Sequence, residues 1–186
     1  MARRFFCGFH SRIVESRELS NGTEKVKILK DIVVDTNVFV HSTKPTLDEF
    51  EISHKFLQEF EHSAASLCID NEIPDSFIVK EYWDKFLKVD SYATNVVAKK
   101  LSSNQYKQLA KNAPYNSTAA KFILKNIKKE KPRDRVFAGV AYNSENKILV
   151  SHDHEDFPNW NRDRFRAKIK VLILMADEAH PLLESG

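Results

Sequence analysis

The chain has two cysteines in 186 residues, Cys7 and Cys68. Their spacing fits neither a zinc-ligand pair nor a disulfide framework, so sulfur chemistry is excluded as the staple of the fold. A reducing, cytoplasmic compartment is the simplest expectation. Long apolar runs are also missing. None approaches the ~20 residues that a membrane helix needs, so no membrane partner is expected. The basic start Met1-Ala2-Arg3-Arg4-Phe5-Phe6-Cys7-Gly8-Phe9 is soon interrupted by His10 and Arg12, which argues against a secretory signal. A strong charge of one sign is lacking too: the net charge is +3. That balance does not by itself identify a nucleic-acid-binding protein. No repeat or low-complexity tract occurs.

What is present fits one soluble domain with a real core, since 42% of residues are hydrophobic and 30% charged. The most informative pattern is a set of carboxylates at the ends of apolar runs. Ile32-Val33-Val34-Asp35-Thr36-Asn37 opens the set, and Ile148-Leu149-Val150-Ser151-His152-Asp153-His154-Glu155-Asp156-Phe157 closes it. A buried strand reads as a short aliphatic run and has no structural need to end in an acid. In open α/β sheets ligands bind just beyond the carboxyl ends of the strands. Two strands delivering acids to that edge predict a shared acidic pocket, which repels itself unless a divalent cation fills it.

Residues 1–30 are polar and basic, with a turn signal at Ser20-Asn21-Gly22-Thr23, and read as an N-terminal extension; residues 31–186 read as one domain. Strands are expected over Asp31–Phe39, Ser66–Asp70, Lys147–Ser151 and Ile169–Leu174. Thr46-Leu47-Asp48-Glu49 resembles a capping box that starts a helix through Phe50, Phe56, Leu57 and Phe60. Ser76 is placed to cap a helix carrying Ile78, Val79, Tyr82, Trp83, Phe86 and Leu87 on one stripe, with Glu81 beside it. Helices are further expected over Tyr92–Asn112 and Ser117–Lys129, from Pro132 onward with Asp134 in the first turn, and over Asp177–Leu183. The alternation of strands and helices predicts a parallel α/β sheet.

Charge is unevenly spread. From Lys121 to Arg135 seven basic residues face two acids. Lys128, Lys131 and Arg133 therefore lead into Asp134 and Arg135 follows it, as a polyanionic substrate would favour, although a solvated helix face has the same composition. Arg162 lies beside Trp160, Arg164 and Arg166, a pattern that suits base stacking with phosphate contacts or a ring packed on the sheet edge. His152 and His154 lack a second His or Cys cluster, so zinc is not indicated; they are expected to face solvent or substrate. Asp70 and Asp75 are expected to serve a turn and a helix start.

Four acids thus recur in order: Asp35 after a strand, Glu81 in a helix, Asp134 at a helix start, Asp153 after a late strand. With their neighbours Val34-Asp35-Thr36-Asn37, Ile78-Val79-Lys80-Glu81-Tyr82, Asp134-Arg135-Val136-Phe137-Ala138-Gly139-Val140-Ala141 and Leu149–Phe157, the chain resembles the PIN-domain ribonuclease family from about Asp31 to Leu183. The resemblance implies a PIN-like, doubly wound parallel sheet flanked by helices in three α/β/α layers. It implies a divalent-metal-dependent endonuclease that hydrolyses phosphodiester bonds of RNA or single-stranded nucleic acid with Mg²⁺ or Mn²⁺. Asp35 and Asp134 would be core metal ligands, Asp153 a third, and Asp156 an outer ligand or a structural cap. Glu81 would complete the site or orient a water, while Thr36, Asn37 and Ser151 orient the carboxylates. Many such proteins are toxins paired with an antitoxin or regulatory protein, and homodimers are common among them. Residues 1–30 and the helical region Tyr92–Lys131 exceed the minimal pattern. A PIN-like module that binds RNA without cutting it is the alternative. A haloacid-type phosphatase would want an acid at position 37, which is Asn37.

Overall fold

A computed structural model describes residues 29–71, 73–128 and 130–184. Nearly all of the expected N-terminal extension, including its turn at Ser20–Thr23 and Cys7, lies outside the described residues, as does Lys129 of the basic run. Five parallel strands form the sheet: β1 (Asp31–Val34), β2 (Ser66–Asp70), β3 (Tyr106–Leu109), β4 (Ile148–Val150) and β5 (Leu172–Leu174), in the order β3-β2-β1-β4-β5. Helices α1 (Thr36–His41), α2 (Phe50–His62), α3 (Phe77–Tyr82), α4 (Tyr92–Ser102), α5 (Thr118–Asn126), α6 (Pro132–Asn143), α7 (Asn159–Ile169) and α8 (Ala176–Glu184) connect and flank the strands. Parallel pairing forces such crossovers, because consecutive parallel strands cannot be joined by a tight hairpin. No helix among the described residues is long and apolar enough to cross a membrane.

β1 is central. Asp31 and Ile32 pair with Ser66 and Leu67 of β2, and Val33 and Val34 pair with Leu149 and Val150 of β4. All four β1 residues are buried, as befits a strand covered on both faces. At its amino end the Asp31 carboxylate accepts from the backbone N–H groups of Glu145 and Asn146, at 3.1 and 2.9 Å, and from Lys107 Nζ at 2.9 Å. This buried pin ties β1 to β3 and to the turn before β4.

Several elements depart from expectation. β1 ends at Val34, not Phe39. The chain turns at Asp35 into α1, where Val38 and Phe39 are buried and Phe39 packs on Tyr82 and Phe86. A continuous apolar run has no period that separates strand from helix. The capping box at Thr46 does not form: α2 starts at Phe50 behind Glu49, and the preceding residues make successive turns, with Leu47 N–H on Lys44 O and Phe50 N–H on Leu47 O. Within the expected helix Tyr92–Asn112, α4 stops at Ser102 and the edge strand β3 follows. α7 has no counterpart in the sequence pattern, and β5 starts at Leu172 because Ile169 closes α7 and Lys170 turns left-handed, with φ 61°. Trp83 leaves the apolar stripe: residues Trp83–Leu87 form a π-helical turn, whose wider winding shifts the phase, and the Trp83 ring is exposed. Ser66–Asp70, the Ser76 cap on Val79 N–H, and Pro132 in the first turn of α6 occur as expected; within the expected helix Ser117–Lys129, Ser117 is the cap and α5 stops at Asn126.

α6 is set by a close approach. A Cβ on Gly139 would lie 2.1 Å from the carbonyl oxygen of Lys111, so the helix backbone rests directly on the segment after β3. Asn143 Nδ2 donates to the carbonyls of Ala110 and Asn112 and holds the same contact. This fixes the direction in which the first turn of α6 delivers Asp134.

Candidate functional site

The strand order reverses between β1 and β4: β2 and β3 extend one side of the sheet, β4 and β5 the other. At such a switch point the connections diverge and leave a crevice beyond the carboxyl ends. Asp35 leaves β1 there and Ser151–Asp156 leave β4. The first turn of α6 contributes Asp134, and α3 contributes Glu81. Asp35, Thr36, Asn37, Glu81, Asp134 and Asp153 line one cavity of about 600 Å³, together with the basic residues Lys85, Lys131 and Arg133.

Each acid is held by its element. Asp35 is buried, its N–H donates to Val150 O at 2.8 Å, and its Oδ2 accepts from Ser151 Oγ at 2.6 Å and Asn37 Nδ2 at 3.0 Å. Asn37 also accepts from the His152 N–H at 3.1 Å, and Ser151 Oγ accepts from the Asp153 N–H at 3.1 Å. One net of small polar groups therefore orients the residues after β1 and β4 together. Tyr82 donates its hydroxyl to the carbonyl of Val34, which docks the Glu81 end of α3 beside Asp35. Asp70, fully buried, caps α3 by accepting from Phe77 and Ile78 N–H and from Ser76 Oγ. Exposed Asp75 pairs with Lys80.

Asp153 divides its two oxygens. Oδ1 accepts from the N–H groups of Glu155 and Asp156, each at 2.8 Å, and closes the turn; Oδ2 meets Lys131 Nζ at 3.1 Å. The capping duty thus falls on Asp153, not on Asp156. Asp156 is buried, and its Oδ2 accepts no hydrogen bond. Carboxylate oxygens of Asp134, Asp153 and Asp156 lie within 4.8 Å of one another.

The charges are frustrated. Burial pushes Asp35 up to about 6, with the Glu81 and Asp153 charges adding to it against the opposing Ser151 hydrogen bond. Burial, followed by the proximity of Asp156, Asp35 and Asp153, holds Asp134 well above the usual carboxylate range. Burial also raises Glu81, against the pull of Arg133, whose Nε lies 3.8 Å from Glu81 Oε2. Glu81 is thus not a solvated helix residue: its side chain is 12% exposed and turned to the cavity, with the Lys85 charge also acting on it. Buried acids held above their ordinary range by one another in a cleft are candidates for a functional site.

The basic residues divide. Lys131 and Arg133 line the cavity, and Lys128 pairs with Glu155 at its margin. Arg135 does not reach it: Nε and Nη2 donate to the carbonyls of Ile127 and Leu124, closing the end of α5. Arg162 is likewise turned inward, donating to Ile173 O and pairing with Glu178. These two guanidiniums satisfy internal acceptors and lie outside the acid-lined cavity. Trp160 is not packed on the sheet edge; it is 61% exposed, with the Arg164 guanidinium 5.5 Å from its ring centre.

His154 is exposed, as expected, but His152 is buried. Its Nε2 accepts from the Ala176 N–H at 3.3 Å, so the ring proton of the neutral form sits on Nδ1, 3.0 Å from His41 Nδ1. Burial lowers His152 to about 4 and keeps it neutral. His41 and Lys85 also line the cavity; the sequence offers Lys85 only as a helical partner of Glu81 and does not single out His41. Lys85 follows Glu81 by one helical turn, which brings it to the same cavity. Nothing local marks His41. No protein-family model matches the chain, and no curated protein matches it.

Proposed function

We propose that the protein is a PIN-like, divalent-metal-dependent ribonuclease that hydrolyses phosphodiester bonds of RNA or single-stranded nucleic acid. The observation that carries this reading is the convergence of Asp35, Glu81, Asp134 and Asp153 from four separate elements on one cavity at the sheet's switch point, with Asp156 buried behind them.

The residues fit a hard cation. Every donor in the cluster is a carboxylate oxygen, the ligand class that Mg²⁺ and Mn²⁺ take. The buried Asp156 Oδ2 accepts no hydrogen bond and has the Lys131 ammonium 3.4 Å away, and the raised carboxylates are those a divalent counter-ion would relieve. Asp134, Asp153 and Asp156 would hold the ion, with Asp35 beside them. When bound, such an ion lowers the pKa of a coordinated water and offsets charge on a phosphate.

The chain's own groups have separate tasks. Ser151 and Asn37 fix the rotamer of Asp35 by donating to Oδ2, so the carboxylate is oriented before any substrate arrives. Glu81, on the cavity wall, would accept a hydrogen bond from an attacking water. Arg133 and Lys85, on the cavity wall, supply positive charge for a phosphodiester backbone. The basic wall facing an acidic floor favours a charged, metal-bridged substrate over an apolar one.

The test is cleavage of end-labelled single-stranded RNA with Mg²⁺ or Mn²⁺. Metal-dependent cutting is expected, lost with EDTA and reduced at least about 100-fold in Asp35→Asn, the scale on which losing a positioned catalytic group acts. Binding without cutting, unchanged in Asp35→Asn, would leave a nucleic-acid-binding module and sink the enzyme reading.

A further inference from the structure

Among the described residues that line the cavity, Lys131 has contacts that conflict with a place at the rim. The sequence pattern makes it a substrate contact, yet its ammonium is turned into the acid cluster. Nζ lies 3.1 Å from Asp153 Oδ2, 3.2 Å from Glu155 Oε2 and 3.4 Å from Asp156 Oδ2. Two of these three carboxylates are the ones grouped with Asp134 as a cation site. The Asp156 oxygen it approaches is the buried one that accepts no hydrogen bond.

An ammonium and a divalent ion compete for these oxygens. The ion must approach to about 2.0–2.2 Å, where the oxygens' lone pairs point at it, and it would then face a second positive charge a few ångströms away. A lysine is suited to give way. Its charge sits on a flexible four-carbon stem with no fixed fork geometry. The backbone of Lys131 is fixed independently, its N–H donating to Lys128 O at 3.1 Å just ahead of Pro132. Glu155 lies outside the cation group and is 62% exposed, a contact that solvent weakens, so the ammonium can swing past it to the cavity side once Asp153 and Asp156 release it. From there Lys131 faces the same cavity as Arg133 and Lys85.

We propose that Lys131 is the built-in counter-ion of the acid cluster, that it exchanges with the divalent cation on loading, and that the released ammonium becomes a phosphate contact for the nucleic-acid strand. This rests on the metal-dependent reading above and adds an order to it: cation first, strand second. Before loading, Lys131 damps the repulsion among Asp134, Asp153 and Asp156 and weakens the site for metal. After loading, the same charge serves the substrate.

The experiment is a calorimetric titration of the metal-free protein with Mn²⁺, comparing wild type with Lys131→Met, which keeps the stem and removes the charge, and with Lys131→Gln as a second variant. Both variants are expected to bind Mn²⁺ roughly fivefold or more tightly than wild type, the size of a multi-carboxylate ion pair lost in competition. In parallel, the Lys131 Nζ resonance of wild type, assigned by its loss in Lys131→Met, is followed as Mg²⁺ is added; it is expected to move from the ion-paired to the exposed lysine position. Equal or weaker Mn²⁺ binding in both variants, or an Nζ signal that stays ion-paired at saturating Mg²⁺, would overturn the exchange while leaving the metal site standing. Absence of Mn²⁺ binding in all three proteins would overturn the exchange and the metal-dependent reading together.

Discussion

Asp31 and Asp35 are four residues apart and do opposite work. Asp31 is buried at the amino end of β1 and fully matched by donors, whereas Asp35 is buried at the carboxyl end among other acids. Burial works to raise Asp31, but the Asn146 N–H, Lys107 and the Glu145 N–H together hold it below its ordinary value. Its ionised form therefore stabilises the fold above the unfolded value near 3.8, and that contribution is lost as pH falls through the lower folded value. Asp31→Asn is expected to cost about 2–4 kcal/mol at pH 7, from broken charge-assisted hydrogen bonds to two backbone donors and Lys107. Urea unfolding measures it: the gap between wild type and variant is expected to narrow below pH 3.8. A gap that holds constant down to the lowest measurable pH would show that Asp31 acts by shape, not charge.

At the scale of elements, α6 decides whether the site is assembled, because it alone brings Asp134 to the acids that follow β1 and β4. Gly139 allows its close seat on Lys111. Gly139→Ala adds a methyl where only backbone stands, and overpacking of this kind costs about 1–3 kcal/mol. Thermal melts should show that loss, and Mn²⁺ affinity should fall with it, since Asp134 moves with the helix. An unchanged melting temperature would mean the segment after β3 yields freely. The same helix shows what the sequence could carry. Pro132, Asp134 and the run Val136–Ala141 mark their positions through local chemistry, as do Ser66–Asp70 and the Ser76 cap. β3 carries no such signal: Tyr106-Lys107-Gln108-Leu109 is a half-exposed edge strand without clean alternation, and only its pairing with β2 makes it a strand. The boundary between β1 and α1 is hidden in one apolar run. The acids of the site are legible because each ends or starts an element. The fates of Arg135 and Arg162 are not, because a positive charge in a sequence does not say whether a carbonyl or solvent will receive it.

For the whole molecule, the acid cluster makes stability depend on what fills it. Asp35, raised to about 6 by burial, favours the folded state when protonated, so this contribution weakens as pH rises from the unfolded value of 3.8 toward 6 and beyond. A divalent cation needs the ionised form and reverses the trend. Saturating Mg²⁺ or Mn²⁺ is expected to raise the melting temperature more at pH 8 than at pH 5. At a concentration one hundred times the dissociation constant the gain is about 2.7 kcal/mol, on the order of 5–10 °C for a domain of this size. EDTA should return the curve to its starting point. A shift independent of pH would point to cation binding away from the carboxylates.

The cluster draws its members from two kinds of support. The Asp35 amide is bonded into the sheet through Val150 O, while Lys131 is held at the cluster through its side chain, on the turn between α5 and α6. Amide hydrogen exchange should divide along this line. The Asp35 N–H can open only when the centre of the sheet does, so its protection should approach that of global unfolding. The Lys131 N–H, closing a single turn on Lys128 O, should exchange through small local openings. The protein thus keeps half of its site on a clock of rare events and half on a clock of frequent ones.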